Sequence, residues 1–211
     1  MISLNERQAD ALSELINMSF SLTAAKLSDL SGQRLRLDPP AIASHPIIGL
    51  GTELDVFSSG EVVSVHQAFS GTFSGDAILC LNSEGALKLS NLLVEENLPS
   101  PQLDISAGEI LTEIGNMLLS ACLGVFGNLL QVHVSFSVPV LHRSSFEQFL
   151  DLLTVSGTEM RHAIVIKSSF AIHENGPKGR IAIVLSLNSL EQLIQAVDQW
   201  DTEFQERVLK S

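Results

Sequence analysis

Two sets of polar side chains recur at one spacing within otherwise apolar stretches. They are Asp10, Glu14 and Asn17, and then Glu109, Glu113 and Asn116. The pattern i, i+4, i+7 brings three side chains onto one face of a helix. The offset between the sets is 99 at every position (109 − 10, 113 − 14, 116 − 17). Pro40 and Pro139 keep the same offset of 99, and each lies 23 residues beyond its asparagine. A carboxylate and a carboxamide one turn apart hold no nucleophile, oxyanion pocket or metal cage. They can pair with a cation and exchange hydrogen bonds. Chemistry on such a face has to act in trans, on a reacting centre that a partner supplies. A single face of this kind reads as a solvated helix surface. Its repetition asks for a further reason, although a duplication preserves spacing with or without function.

The elements that must carry these residues repeat as well. Helices are expected from about Glu6 to Leu30 and from about Ser106 to Phe126. The first should bury Leu12, Leu15, Ile16 and Leu22, and the second Leu111, Ile114, Leu118 and Cys122, so that each triplet faces solvent. A short alternating stretch follows each helix, with Leu35 and Leu37 in the first case and Val132 to Val138 in the second. Each stretch ends at its proline. Val62–Val65 with Gly75–Leu81, and Ala163–Ile172 with Arg180–Ser186, read as paired strands, the second pair around the turn Asn175-Gly176-Pro177. Ser83–Val94 and Asn188–Trp200 read as the helices that follow. Leu98-Pro99-Ser100-Pro101 is the natural seam. The expected fold is α/β, of the α+β type. It is a pseudo-twofold duplicated domain over residues 1–211, with repeats of about 1–98 and 102–204. Its sheet should be largely antiparallel and covered by the two long motif-bearing helices.

Composition narrows the partners. A net charge of −12 argues against nucleic acid and against an anionic membrane surface, because both need clustered Lys and Arg. It suits a partner with basic patches. The stretch between Glu113 and Arg143 has no Asp, Glu, Lys or Arg, but Gly127-Asn128 breaks it and it then alternates like a strand, so it does not read as a membrane span. Cys80 and Cys122 sit among apolar neighbours and read as buried thiols, and the N-terminus lacks a signal-peptide core. Both features fit a cytoplasmic protein.

Other candidate motifs are weak. His45, His66, His133, His142, His162 and His173 show no metal-ligand spacing. In Gly71-Thr72-Phe73-Ser74-Gly75 the serine is one position too late for a nucleophile elbow. Gly49-Leu50-Gly51 lacks the third glycine of a dinucleotide loop. Glu95-Glu96 reads as a solvated helix end.

The repeated pattern resembles the CheC, CheX and FliY phosphatases of bacterial chemotaxis. In that family an Asp or Ser is followed by Glu four residues on, Asn three further, and Pro 23 after that. Asp10, Glu14, Asn17 and Pro40 fit fully, as do Glu113, Asn116 and Pro139, while Glu109 departs from Asp or Ser. The length, with two sites, resembles CheC more than the shorter, one-site CheX. The resemblance implies a phosphatase acting on the aspartyl phosphate of a CheY-like response regulator. Glu14 and Glu113 would pair with the regulator's lysine, and Asn17 and Asn116 would orient the attacking water. No cofactor is implied for this chain, because the Mg²⁺ belongs to the regulator. The alternative is an adaptor that binds the phosphorylated regulator or a CheD-like receptor deamidase, and a third class is a structural component of the flagellar switch.

Overall fold

The structure, a computed structural model, describes residues 4–32, 36–37, 39–47, 50–54, 60–91, 102–129, 131–154, 161–171 and 178–208. The expected seam at 98–101 and turn at 175–177 lie outside these residues, as do Gly49, Glu95, Glu96 and His173. The order of elements repeats completely. The first half runs α1 (Glu6–Ser31), β1 (Arg36–Leu37), β2 (Ala41–Pro46), α2 (Leu50–Glu53), β3 (Glu61–Gly71), β4 (Gly75–Asn82) and α3 (Ser83–Ser90). The second runs α4 (Ile105–Leu129), β5 (Val134–Phe136), β6 (Val140–Ser145), α5 (Phe146–Thr154), β7 (Arg161–Ala171), β8 (Lys178–Ser186) and α6 (Leu187–Val208).

The eight strands form one sheet in the order β1-β7-β8-β4-β3-β5, with β2 also on β7 and β6 also on β3. Every pairing is antiparallel. The two hairpins meet at β4 and β8, and each half sends its two outer strands across to the hairpin of the other. The sheet is buried on both faces, so its strands carry nearly continuous apolar runs. Val63, Val65, Leu79, Ile164, Ile166 and Ile183 face the core beneath α1, α3, α4 and α6. Val62, Ile78, Cys80, Ala163, Val165 and Val184 face the opposite way, against Leu54, which follows α2, and against Phe149 and Leu153 of α5. Sequence reading anticipated the first layer of helices and missed the second. The free thiols of Cys80 and Cys122 lie in these two separate cores, so they cannot pair with each other.

Local signals fix the motif helices. Asn5 caps α1 by accepting from the Gln8 amide at 2.9 Å, and Gln8 reaches back to the Asn5 amide at 3.0 Å, completing a capping box. Gly32 ends α1 at φ 64°, a left-handed conformation that suits glycine. Asp104 precedes α4 and accepts from the Ala107 amide at 2.9 Å. Burial of Leu12, Leu15, Ile16, Leu111, Ile114, Leu118 and Cys122 agrees with the expected inner faces. Leu22 does not, since it is 69% exposed, and Phe20, Ala24 and Leu27 fill that end of the α1 interface instead.

The strand expected over Val132–Val138 is shorter, Val134–Phe136, and Val138 is 82% exposed. A one-residue change of register explains this. Phe69 pairs with Phe136 but His66 pairs with Val140, so Gln67 and Ala68 lie opposite three residues, Ser137, Val138 and Pro139. That arrangement is a β-bulge. The first half has the same step in register: Leu37 pairs with Phe170 and Ala41 with Lys167, so the count between the pairs is one greater from β1 to β2 than along β7. Each repeated proline therefore occupies the last place of a bulge, immediately before a strand begins. A residue there needs no ladder hydrogen bond, so the missing N–H of proline costs nothing.

Candidate functional site

Both triplets sit on α1 and α4, which pack side by side on one face of the sheet. Asp10, Glu14, Glu109 and Glu113 are exposed, whereas Asn17 and Asn116 are half-buried. Both asparagines were expected to be exposed, and neither is fully so. They lie at the edge of the apolar stripe, where the helix turns back toward its neighbours.

Each carboxylate pair lines its own surface cleft. The cleft on α4 has a volume of about 580 Å³ and includes Glu109, Glu113, Gly108, Leu141 and Arg143. Arg143 donates to Glu61 through Nε (3.1 Å) and Nη2 (2.9 Å), and through Nη1 to the Leu103 carbonyl (3.1 Å). This forked contact, helped by Ser83, holds the Glu61 carboxyl below its usual range. The cleft on α1 takes in Glu6, Asp10 and Glu14 together with Arg7, Asp201, Trp200 and Phe204. Arg7 pairs with Asp201, and Phe204 stacks on Trp200 with ring centroids 5.1 Å apart. Neither asparagine lines the cleft of its own triplet's carboxylates. Each lies one turn further along, so glutamate and asparagine face neighbouring patches of one surface.

The two asparagines differ in how they are held. Asn116 Oδ1 accepts from Gln67 Nε2 at 3.0 Å and from Ser120 Oγ at 3.2 Å. Gln67 Nε2 also donates to the Ser137 carbonyl at 3.1 Å. A carbonyl can only accept, so the Gln67 atom facing Ser137 must be its nitrogen, and the Asn116 atom facing that nitrogen must be oxygen. The network thus orients the amide with Oδ1 inward. Asn116 Nδ2 has no hydrogen bond among the described residues.

The bulge presents the Ser137 carbonyl, and Ser137 is itself clamped to Ala68 through N–H (2.9 Å) and Oγ (3.0 Å). Gly115 allows the approach. A Cβ there would lie 2.7 Å from Val65 Cγ1, so α4 sits directly on β3 at this turn. In α1 the matching position (115 − 99) is Ile16, a full-sized buried side chain. The residue matching Gln67 follows from the register. Phe69 pairs with Phe136 and Phe170 with Leu37. Since 136 − 37 is 99 and 170 − 69 is 101, the counterpart is Ser168. It has a shorter side chain. Ser21, matching Ser120, donates to the Asn17 backbone carbonyl at 2.9 Å, not to the side chain.

Pro40 is buried and Pro139 half-buried at their bulges, and the bulge ending at Pro139 presents the Ser137 carbonyl to the Gln67 nitrogen that bonds Asn116. Sequence reading missed Gln67, Ser120, Ser137 and Gly115. One signal was present, because Ser21 and Ser120 each follow an asparagine by four residues. No group of three or more His, Cys, Asp or Glu among the described residues could hold a metal. His66 and His142 stack edge-on at 4.7 Å, and burial together with the neighbouring imidazole pushes His66 down to about 4. No helix of the described residues is long and apolar enough to cross a membrane.

No family model and no curated protein matches the sequence. Solved structures do share the fold. Thermotoga maritima FliY matches with a TM-score of 0.73 at 18% identity, over 95% of this chain and all of that one. The FliG–FliM complex from H. pylori matches with a TM-score of 0.64 at 12% identity, over 91% of this chain and 100% of the matched chain. A putative chemotaxis protein from Desulfovibrio vulgaris Hildenborough matches with a TM-score of 0.51 at 14% identity, over 81% of this chain and 95% of that one.

Proposed function

We propose that this chain is a phosphatase of the CheC type that removes phosphate from the aspartyl phosphate of a CheY-like response regulator. The observation that carries this reading is the asparagine of α4, held with its amide nitrogen unpartnered one turn from an exposed glutamate. The regulator would bring the acyl phosphate and its Mg²⁺. Water attacks phosphorus, the bond from phosphorus to the aspartyl oxygen breaks, and inorganic phosphate and a free carboxylate result. This chain's part is positioning. Glu113 or Glu14 meets the regulator's active-site lysine and fixes the register of docking. Asn116 or Asn17 donates from its amide to the incoming water and holds it in line. A single well-placed hydrogen bond of about 1–3 kcal/mol corresponds to roughly 10- to 100-fold in rate. The test is the loss of acyl phosphate from a purified regulator in Mg²⁺ buffer, with this protein and with its Glu113→Ala variant. A slower rate with the variant is expected, and equal rates would rule out the role of Glu113.

The second reading is an adaptor that binds the phosphorylated regulator, or a CheD-like deamidase, without turnover. The FliM middle-domain fold favours it. The asparagine at both repeats favours catalysis, since binding alone needs no water-orienting amide.

A further inference from the structure

We infer that Gln67 is a positioning residue for the α4 site: anchored on the Ser137 carbonyl of the bulge, its amide nitrogen bonds Asn116 Oδ1 directly and, together with Ser120, sets the direction in which the Asn116 amide points. The inference rests on the phosphatase reading only in making Asn116 the group that meets substrate. Gln67 is a polar side chain on a sheet face otherwise built of Val63, Val65 and Phe69, and it is 2% exposed. A glutamine there loses its water on folding and needs partners for both ends of its amide. Its nitrogen bonds the Ser137 carbonyl and Asn116 Oδ1, and Ser120 Oγ lies 3.5 Å from its oxygen.

β3 is held in the sheet by its pairing with β4, which runs through Gln67, and by its pairing with β6 and β5 on either side of the bulge. The effect of the Gln67 side chain is on the asparagine. A free carboxamide can turn by half a rotation and present oxygen or nitrogen almost equally well. With Gln67 in place, oxygen outward would set the Asn116 nitrogen against the nitrogen of Gln67, so only one orientation is bonded. The site therefore presents a donor before any partner arrives, which removes the cost of ordering it during docking. Three features of the chain converge on this one contact: the glycine at position 115, the bulge at Ser137 to Pro139, and the serine at position 120. The α1 site has Ile16 and Ser168 at the positions matching Gly115 and Gln67.

The experiment uses the full chain carrying Asn17→Ala, so that only the α4 site turns over. Gln67→Met keeps the volume and removes the donor. With a CheY-like regulator phosphorylated by acetyl phosphate in Mg²⁺ buffer, kcat is expected to fall about tenfold, with KM within about twofold. The same substitution added to Asn116→Ala is expected to change nothing further. In parallel, the Asn116 side-chain ¹⁵N–¹H₂ signals, assigned from their loss in Asn116→Ala, should report a rigid amide in the parent and a mobile one in Gln67→Met. An unchanged kcat, a change in KM alone, or an equally rigid amide in the variant overturns the inference. If the parent protein shows no turnover, the phosphatase reading falls while the amide dynamics still decide the role of Gln67. If Gln67→Met fails to fold, Ser120→Ala removes one of the two bonds from a half-buried position. A loss of about two- to threefold is then expected, and no loss overturns the inference.

Discussion

Replacing Gly115 by alanine adds one methyl group at the closest approach of α4 to the sheet. That methyl would lie 2.7, 2.8 and 2.9 Å from Cγ1, Cβ and Cγ2 of Val65. Carbon atoms pack at about 3.5 Å or more, so the helix must retreat by roughly 0.8 Å (3.5 − 2.7). Val65 cannot turn aside, because rotation about its χ1 replaces one methyl by the other and leaves Cβ in place. Alanine in a helix interior gains about 1 kcal/mol over glycine, while overpacking costs about 1–3 kcal/mol. The expected net effect is a loss of up to about 2 kcal/mol. A retreat of that size also stretches the 3.0 Å bond from Gln67 to Asn116 beyond hydrogen-bonding distance. Gly124, on the same helix, supplies the control, because a Cβ there meets nothing within 4 Å. Gly124→Ala should stabilise the protein by up to about 1 kcal/mol. Urea unfolding followed by circular dichroism measures both variants. Gly115→Ala as stable as Gly124→Ala would refute the reasoning from close approach.

Further outcomes follow from the same geometry. His66 is held neutral in the fold, so its depressed pKa adds stability that is complete above about 6.5 and is lost as pH falls toward about 4. The loss should reach up to about 3 kcal/mol across that window, and urea midpoints for His66→Gln should decline less steeply. Asn116→Ala should destabilise by about 1 kcal/mol, because it takes one partner from the buried Gln67 amide, while Asn17→Ala should stay within about 0.5 kcal/mol. Cys80 and Cys122 are buried thiols with raised pKa, so a thiol reagent should titrate them only after denaturant is added.

The repeated spacing of Glu, Asn and Pro was legible because helix periodicity converts position directly into a face. The same holds for the hairpin strands, whose apolar runs are long. The short strands β2 and β6 were not legible. Residues such as His45, His142 and Arg143 interrupt their patterns, and their pairing partners come from the opposite half of the chain. Leu22 matched the helix period yet lies beyond the reach of the core, so period alone could not place it. The prolines could be matched to each other but not understood, because a bulge exists only in the register of two strands. Gln67 was invisible for a related reason. A lone glutamine within Val-Val-Ser-Val-His-Gln-Ala-Phe carries no spacing signal, and its meaning comes from α4, which is distant in sequence and close in space.

The most direct measurement follows acyl phosphate on a purified CheY-like regulator in Mg²⁺ buffer, without this protein, with it, and with the Asn17→Ala, Asn116→Ala double variant. The proposed function predicts faster loss with the protein and none of that acceleration with the double variant, whose circular dichroism should match the parent. Acceleration that survives the loss of both asparagines would contradict it.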